Sequence, residues 1–114
     1  EILIGLVGSE MCIRDRSIVD HFGGKMAFVN IMKNMSVDCD CCAVAEDPKI
    51  GDIGILSSLD PVALDQACLD LVYASDDPGK GDLIERIESR NGVHTIEAAA
   101  AIGIGGREYE LITL

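Results

Sequence analysis

The sequence predicts an α/β fold: a layered sheet of about three strands with three helices, partly parallel, an incomplete portion of a domain. Three observations carry this. Short apolar runs that look like strands buried on both faces occur at Lys25–Met32 and Asp52–Ser57. Three segments of helical period follow them, each with its own start or stop signal. The last stretch, Glu108–Leu114, returns to strand-forming residues.

The first strand, KMAFVNIM, follows a Gly23-Gly24 break and ends near Asn34. Ser36–Gly51 has Asp, Cys and one Pro but no sustained period, so it reads as an irregular loop carrying the cysteines. After DIGILS, Asp60-Pro61 supplies an N-cap and a proline at the first helical position. Leu64, Ala67, Cys68 and Leu71 then share one face, with Asp65, Gln66 and Asp70 towards the other. That helix stops by the Asp76-Asp77-Pro78-Gly79 turn. Asp82 is expected to cap the next one, with Leu83, Ile84 and Ile87 as its stripe, an Asp82–Arg86 pair one turn apart and Asn91-Gly92 as its stop. An alanine-rich helix over Val93–Ile102 closes at Gly103.

A length of 114 residues is enough for one small core. Nine Lys and Arg against 20 Asp and Glu give a net charge of −11, which repels phosphate backbones and anionic lipid heads. No Trp, two Phe and two Tyr leave few platforms for base stacking. Nucleic acid and membrane are therefore not expected partners. No apolar run approaches the ~20 residues of a spanning helix, and Ile2–Val7 lacks a basic flank, so a cytoplasmic protein is expected. A mean hydropathy of +0.27 beside so much charge suggests apolar surface covered by other polypeptide.

Residues 6–16, LVGSEMCIRDR, follow codon by codon the translation of a widely used transposase-type sequencing adapter, and Glu1–Gly5 fit the oligonucleotide upstream of it. Residues 1–16 are accordingly read as an artificial adapter-derived segment, and 17–114 as the natural portion. The competing reading makes Ile2–Val7 a buried strand. Without Glu1, Glu10, Asp15, Arg14 and Arg16 the balance is 17 acidic against 7 basic groups, so the acidity persists.

Three of the five cysteines crowd at Cys39, Cys41 and Cys42, unlike the dispersed spacing of a secreted disulfide framework. Thiolates bind soft metals and iron-sulfur clusters, but near neighbours compete for one coordination vertex. A complete site needs further donors, with Cys68, Asp38, Asp40 and His94 as candidates. A redox or nucleophilic thiol and plain loop-forming cysteines stand as alternatives. Cys68 lies on the apolar stripe and reads first as a core residue; Asp60 reads as a helix cap, His94 as a surface residue. Gly103, Gly105 and Gly106 follow a helix where a dinucleotide fingerprint would open one, and Ser57-Ser58 lack a nucleophile turn.

SVDCDCC (Ser36–Cys42), DIGILSSLDPVALDQACLDLV (Asp52–Val72) and IGIGGREYELI (Ile102–Ile112), in this order, resemble the C-terminal part of the domain of unknown function 362 family. Its members are often described as uncharacterised Fe-S centre proteins. The resemblance implies a ferredoxin-like module, whose C-x-x-C-x-x-C runs hold 4Fe-4S clusters, upstream and missing from this chain. It matches the family's DCDC-like motif to Asp38, Cys39, Asp40 and Cys41.

The leading expectation is thus part of an iron-sulfur-associated redox protein, in electron transfer or in metal or cluster handling. The missing module would bear the 4Fe-4S cluster, Cys39, Cys41 and Cys42 would be candidate ligands, and a basic redox partner would dock on the acidic surface. One alternative is a metal- or thiol-dependent enzyme half-site at Asp38–Cys42, which leaves enzymatic activity open; the other is a non-catalytic scaffold domain.

Overall fold

The computed structural model describes residues 2–38 and 42–114, with side chains from Cys12 onward. Two strands and four helices are present, in the order α1 (Ile2–Phe22), β1 (Phe28–Met32), β2 (Gly54–Ser58), α2 (Pro61–Ala74), α3 (Lys80–Ser89) and α4 (Val93–Ala101). The fold is mixed α/β as expected, with one strand fewer and one helix more among the described residues. The two strands are antiparallel, with no parallel component, and Ile31 pairs with Ile55, Val29 with Ser57. Glu108–Leu114 forms no strand.

The first strand is not buried on both faces. Along β1, Phe28, Asn30 and Met32 are half-buried or buried while Val29 and Ile31 are exposed, the two-residue alternation of a sheet covered on one side. α2 contacts both strands. The outer face, where Val29, Ile31 and Ile55 are 58%, 65% and 70% exposed, has no cover among the described residues.

α2 begins as its sequence predicts. The Asp60 side chain accepts hydrogen bonds from Val62 N (2.9 Å) and Ala63 N (3.0 Å), and Pro61 occupies the first turn, where its missing N–H costs nothing. The apolar stripe turns inward with Leu64 and Ala67 buried. Gln66 departs from expectation: it is buried, because its amide has two specific partners, donating to Asp70 Oδ1 (2.8 Å) and accepting from Arg107 Nε (2.8 Å).

α3 starts three residues earlier than expected, at Lys80 after Gly79, and its side-chain anchor is Asp77, which accepts from Gly79 N (2.7 Å) and Gly51 N (2.9 Å). Those two amides hold the Asp77 carboxyl below its ordinary pKa. The expected Asp82–Arg86 pair is absent because both residues have partners on the loop: Asp82 pairs with Lys49, Arg86 with Asp38. At the end of α3, Asn91 adopts φ 51 and Gly92 N donates to Ile87 O at 2.8 Å, the left-handed closure the Asn-Gly pair suits. Gly103 closes α4 in the same manner, with φ 79 and Ile104 N bonded to Ala99 O.

Met32, Ile50 and Val72 form the centre of the core between β1, the loop and α2, with Leu56, Cys68, Leu83 and Ile87 packed around them. α1 packs against α4. Its Cys12 is buried and donates a weak hydrogen bond to Thr95 O (3.6 Å), and burial, with Asp15 nearby, pushes the thiol pKa up. Residues 2–16, read as adapter-derived, are thus helical and continuous with 17–22, in place of the alternative buried strand. No described helix is long and apolar enough to cross a membrane.

Candidate functional site

The cysteine loop leaves β1 at Met32 and rejoins the fold at Ile50, and its mouth is closed by a set of polar bonds. Ser36 Oγ donates to Glu46 O (2.6 Å), and Glu46 N donates to Asp38 Oδ2 (3.0 Å). Arg86, reaching over from α3, donates from one guanidinium nitrogen to Val37 O and to Asp38 Oδ1, both at 2.9 Å. The Asp38 carboxylate is therefore taken on both oxygens. The Glu46 amide first, and the Arg86 guanidinium second, hold its pKa below the ordinary carboxylate value. On the far side Lys49 bonds Glu46 (3.0 Å) and Asp82, which raises the Lys49 pKa and ties the loop's return to α3. Residues close together at the neck are thus fixed, while Cys42 above it is exposed.

The expected ligands are placed unevenly. Cys39, Asp40 and Cys41 lie outside the described residues. Asp38 serves as the clasp of the neck. Cys68 sits on α2 at the edge of the core, where Asn30 Nδ2 donates to its sulfur (3.4 Å) and to Asp65 Oδ1 (2.8 Å). Burial raises the Cys68 pKa, the Asn30 donor opposes this, and the Asp65 charge adds to it. His94 is a half-exposed side chain 3.9 Å from Glu97. Among the described residues no three His, Cys, Asp or Glu side chains gather to hold a metal ion.

This donor set bears on a cluster. Asp38 is engaged on both oxygens, and Cys68 is directed at Asn30 and the core, so the described donors do not make up the four thiolates of a 4Fe-4S site. A cluster fits this chain only with ligands from Cys39 and Cys41 or from other polypeptide.

The other polar assembly is the seam between α2 and the chain after α4. Asp60 Oδ2 accepts from Gly106 N (2.8 Å), Gln66 accepts from Arg107, and Tyr109 donates its hydroxyl to Asp70 Oδ2 (2.7 Å). The Asp70 carboxylate raises the Tyr109 pKa. A Cβ on Gly105 would overlap the Asp60 carboxylate, which accounts for glycine there. The glycines after α4 thus serve close approach to a helix cap.

The domain of unknown function DUF362 matches residues 9–70, just over half of the chain. The chain belongs to the DUF362 family. The matched stretch runs from within α1 through the loop to Asp70 and so contains the first motif read from the sequence and all but the last two residues of the second. The third, Ile102–Ile112, lies beyond the match but is bonded to the second through Asp60, Gln66 and Asp70. No curated protein matches the chain, and neither does any solved structure.

Arg86, Glu46 and Asn30 escaped the sequence reading. Arg86 carried a signal, a cation in the middle of a half-polar helix, but helical spacing assigned it to Asp82. Glu46 contributes a backbone group, and Asn30 lay inside an apolar run; neither leaves a side-chain pattern.

Proposed function

We propose that this DUF362 chain is part of an iron-sulfur-associated redox protein and that its loop Ser36–Glu46 handles a soft metal or a cluster at Cys39, Cys41 and Cys42. The observation that carries the reading is the closed neck. Ser36, Asp38, Glu46 and Arg86 hold the two ends of the loop together, so the segment whose sequence carries the three cysteines starts and ends on a fixed base.

In this reading a ferredoxin-like module elsewhere in the protein binds the 4Fe-4S cluster, which when bound supplies one-electron chemistry. This chain's residues supply position and charge: the bonded neck anchors the base of the loop, and the acidic surface favours a basic redox partner. The protein is cytoplasmic, where thiols stay reduced.

Anaerobic purification followed by iron, sulfide and zinc analysis tests the reading, with the parent chain set beside a variant in which Cys39, Cys41 and Cys42 are all Ser. Metal bound by the parent and lost from the variant is the expected result. Full retention in the variant, or no metal in the parent after reconstitution with iron and sulfide or with zinc, overturns it.

A further inference from the structure

The junction between α3 and α4 is held by one peptide unit, and its chemistry exposes it to a covalent change. Three asparagines occur in the chain, Asn30, Asn34 and Asn91, followed by Ile, Met and Gly. An asparagine carboxamide can be attacked by the backbone nitrogen of the next residue, and a side chain on that residue obstructs the approach. Gly92 has none. Asn30 is restrained as well, because its Nδ2 donates to Asp65 and to Cys68 from within β1. Asn91 is exposed.

The fold holds the reacting nitrogen back. Gly92 N donates to Ile87 O at 2.8 Å, a full hydrogen bond, with Asn91 in the left-handed region at φ 51. A backbone nitrogen attacks only as it gives up its proton, and here that proton is engaged. The carbonyl of the same peptide unit, Asn91 O, accepts from His94 N at 3.1 Å, and Gly92 O accepts from Thr95 N at 3.2 Å. The unit between Asn91 and Gly92 thus closes α3 through its N–H and opens α4 through its C=O.

We propose that Asn91-Gly92 is a site of spontaneous deamidation, gated by the closure of α3. When the end of α3 opens, Gly92 N bonds to Asn91 Cγ and the Cγ–Nδ2 bond breaks. The nitrogen departs as ammonia, taking the proton of Gly92 N, and a five-membered succinimide remains. Water then opens the ring at one of its two carbonyls. Opening at Cγ leaves the main chain through the original carbonyl and gives aspartate at this position. Opening on the other side gives isoaspartate, whose main chain runs through the former side chain and is one carbon longer. No oxidant or reductant takes part. The added carbon falls inside the peptide unit that serves both helices, so the isoaspartyl form loses the register of the Ile87 and His94 bonds together. The inference does not rest on any metal at the loop.

The test incubates the parent chain in mildly alkaline buffer, folded and in unfolding urea, and follows each asparagine by peptide mass spectrometry. Hydrogen exchange of the Gly92 amide is measured on the folded sample. In urea Asn91 should react ahead of Asn30 and Asn34, and Gly92→Ala should slow it there, where folding plays no part. In the folded chain the reaction should be slower by the factor that protects the Gly92 amide, roughly tenfold or more. Equal rates folded and unfolded, or Asn30 or Asn34 reacting first in urea, overturns the proposal. In the purified isoaspartyl form the Gly92 and His94 amides should exchange roughly tenfold faster or more than in the parent. Asn91→Asp, which adds the charge without the extra carbon, should keep them protected. Unchanged protection in the isoaspartyl form, or an equal loss in Asn91→Asp, overturns the assignment of this peptide unit as the point of failure.

Discussion

Replacing Asp60 separates two duties that one carboxylate performs. Its Oδ1 caps α2 through Val62 N and Ala63 N, and its Oδ2 holds Gly106 N. Loss of an N-cap costs about 1 kcal/mol, and loss of a charge-assisted hydrogen bond to an amide about 1.5–3 kcal/mol. Asp60→Ala should therefore destabilise the chain by roughly 2–4 kcal/mol, a large share of the ~5–15 kcal/mol of a typical domain. Asp60→Asn retains an oxygen for the cap, since Asn caps about as well as Asp, but turns an amide N–H₂ towards Gly106 N. It should lose only the tail contact, roughly 1–3 kcal/mol. Urea unfolding measures both, with midpoint shifts of about 1–2 M for the Ala variant and smaller ones for Asn. Hydrogen exchange should show the amide of Gly106 freed in both variants, and those of Val62 and Ala63 freed in Ala alone. Equal losses in the two variants, or a Gly106 amide protected as before in Asp60→Asn, would refute the division of labour.

Gly105→Ala should destabilise by about 1–3 kcal/mol through overpacking and free the Gly106 amide, whereas Gly106→Ala, whose Cβ would lie 4.0 Å from Asp60 Oδ2, should be tolerated; urea melts of the pair check this. Asn30→Ala removes the donor that opposes the rise in the Cys68 pKa, so iodoacetamide alkylation of Cys68, followed by peptide mass spectrometry, should move to higher pH; a shift downward would contradict the assignment. Asp38 and Asp77 have folded pKa values lowered from 3.8, so each stabilises the fold above its unfolded value and loses that contribution as pH falls through the lowered one. Thermal melts between neutral pH and pH 2 should show stability falling below the ordinary carboxylate range, and Arg86→Met, with one of the Asp38 partners gone, should flatten part of that fall.

The helices were legible where a local signal sufficed. Asp60-Pro61, Asn91-Gly92 and Gly103 act within a few residues of themselves, so their chemistry is written in adjacent letters. Strand burial was not legible in the same way. KMAFVNIM is apolar enough to be covered on both faces, but whether a cover exists depends on other polypeptide, and Val29 and Ile31 face outward. The strand character of Glu108–Leu114 is real as propensity, yet pairing needs a neighbour within reach, and three side chains of α2 fix the tail elsewhere. At the candidate site, Ser36–Cys42 stood out by its cysteines, while the bonds that Asp38 makes in the fold were not legible in its neighbours: its Oδ1 partner, Arg86, lies 48 residues on.

The bond from Asp60 to Gly106 joins residues 46 apart in the chain, and that interval has a meaning during synthesis. At roughly 5–20 residues per second, a ribosome needs about 2–9 s to travel from one to the other. For those seconds α2 can form on its own cap, with the second oxygen of Asp60 facing water and the α2 flank bare. A nascent chain arrested before Gly106 would leave that flank bare, whereas one that proceeds further covers it with Gly106, Arg107 and Tyr109.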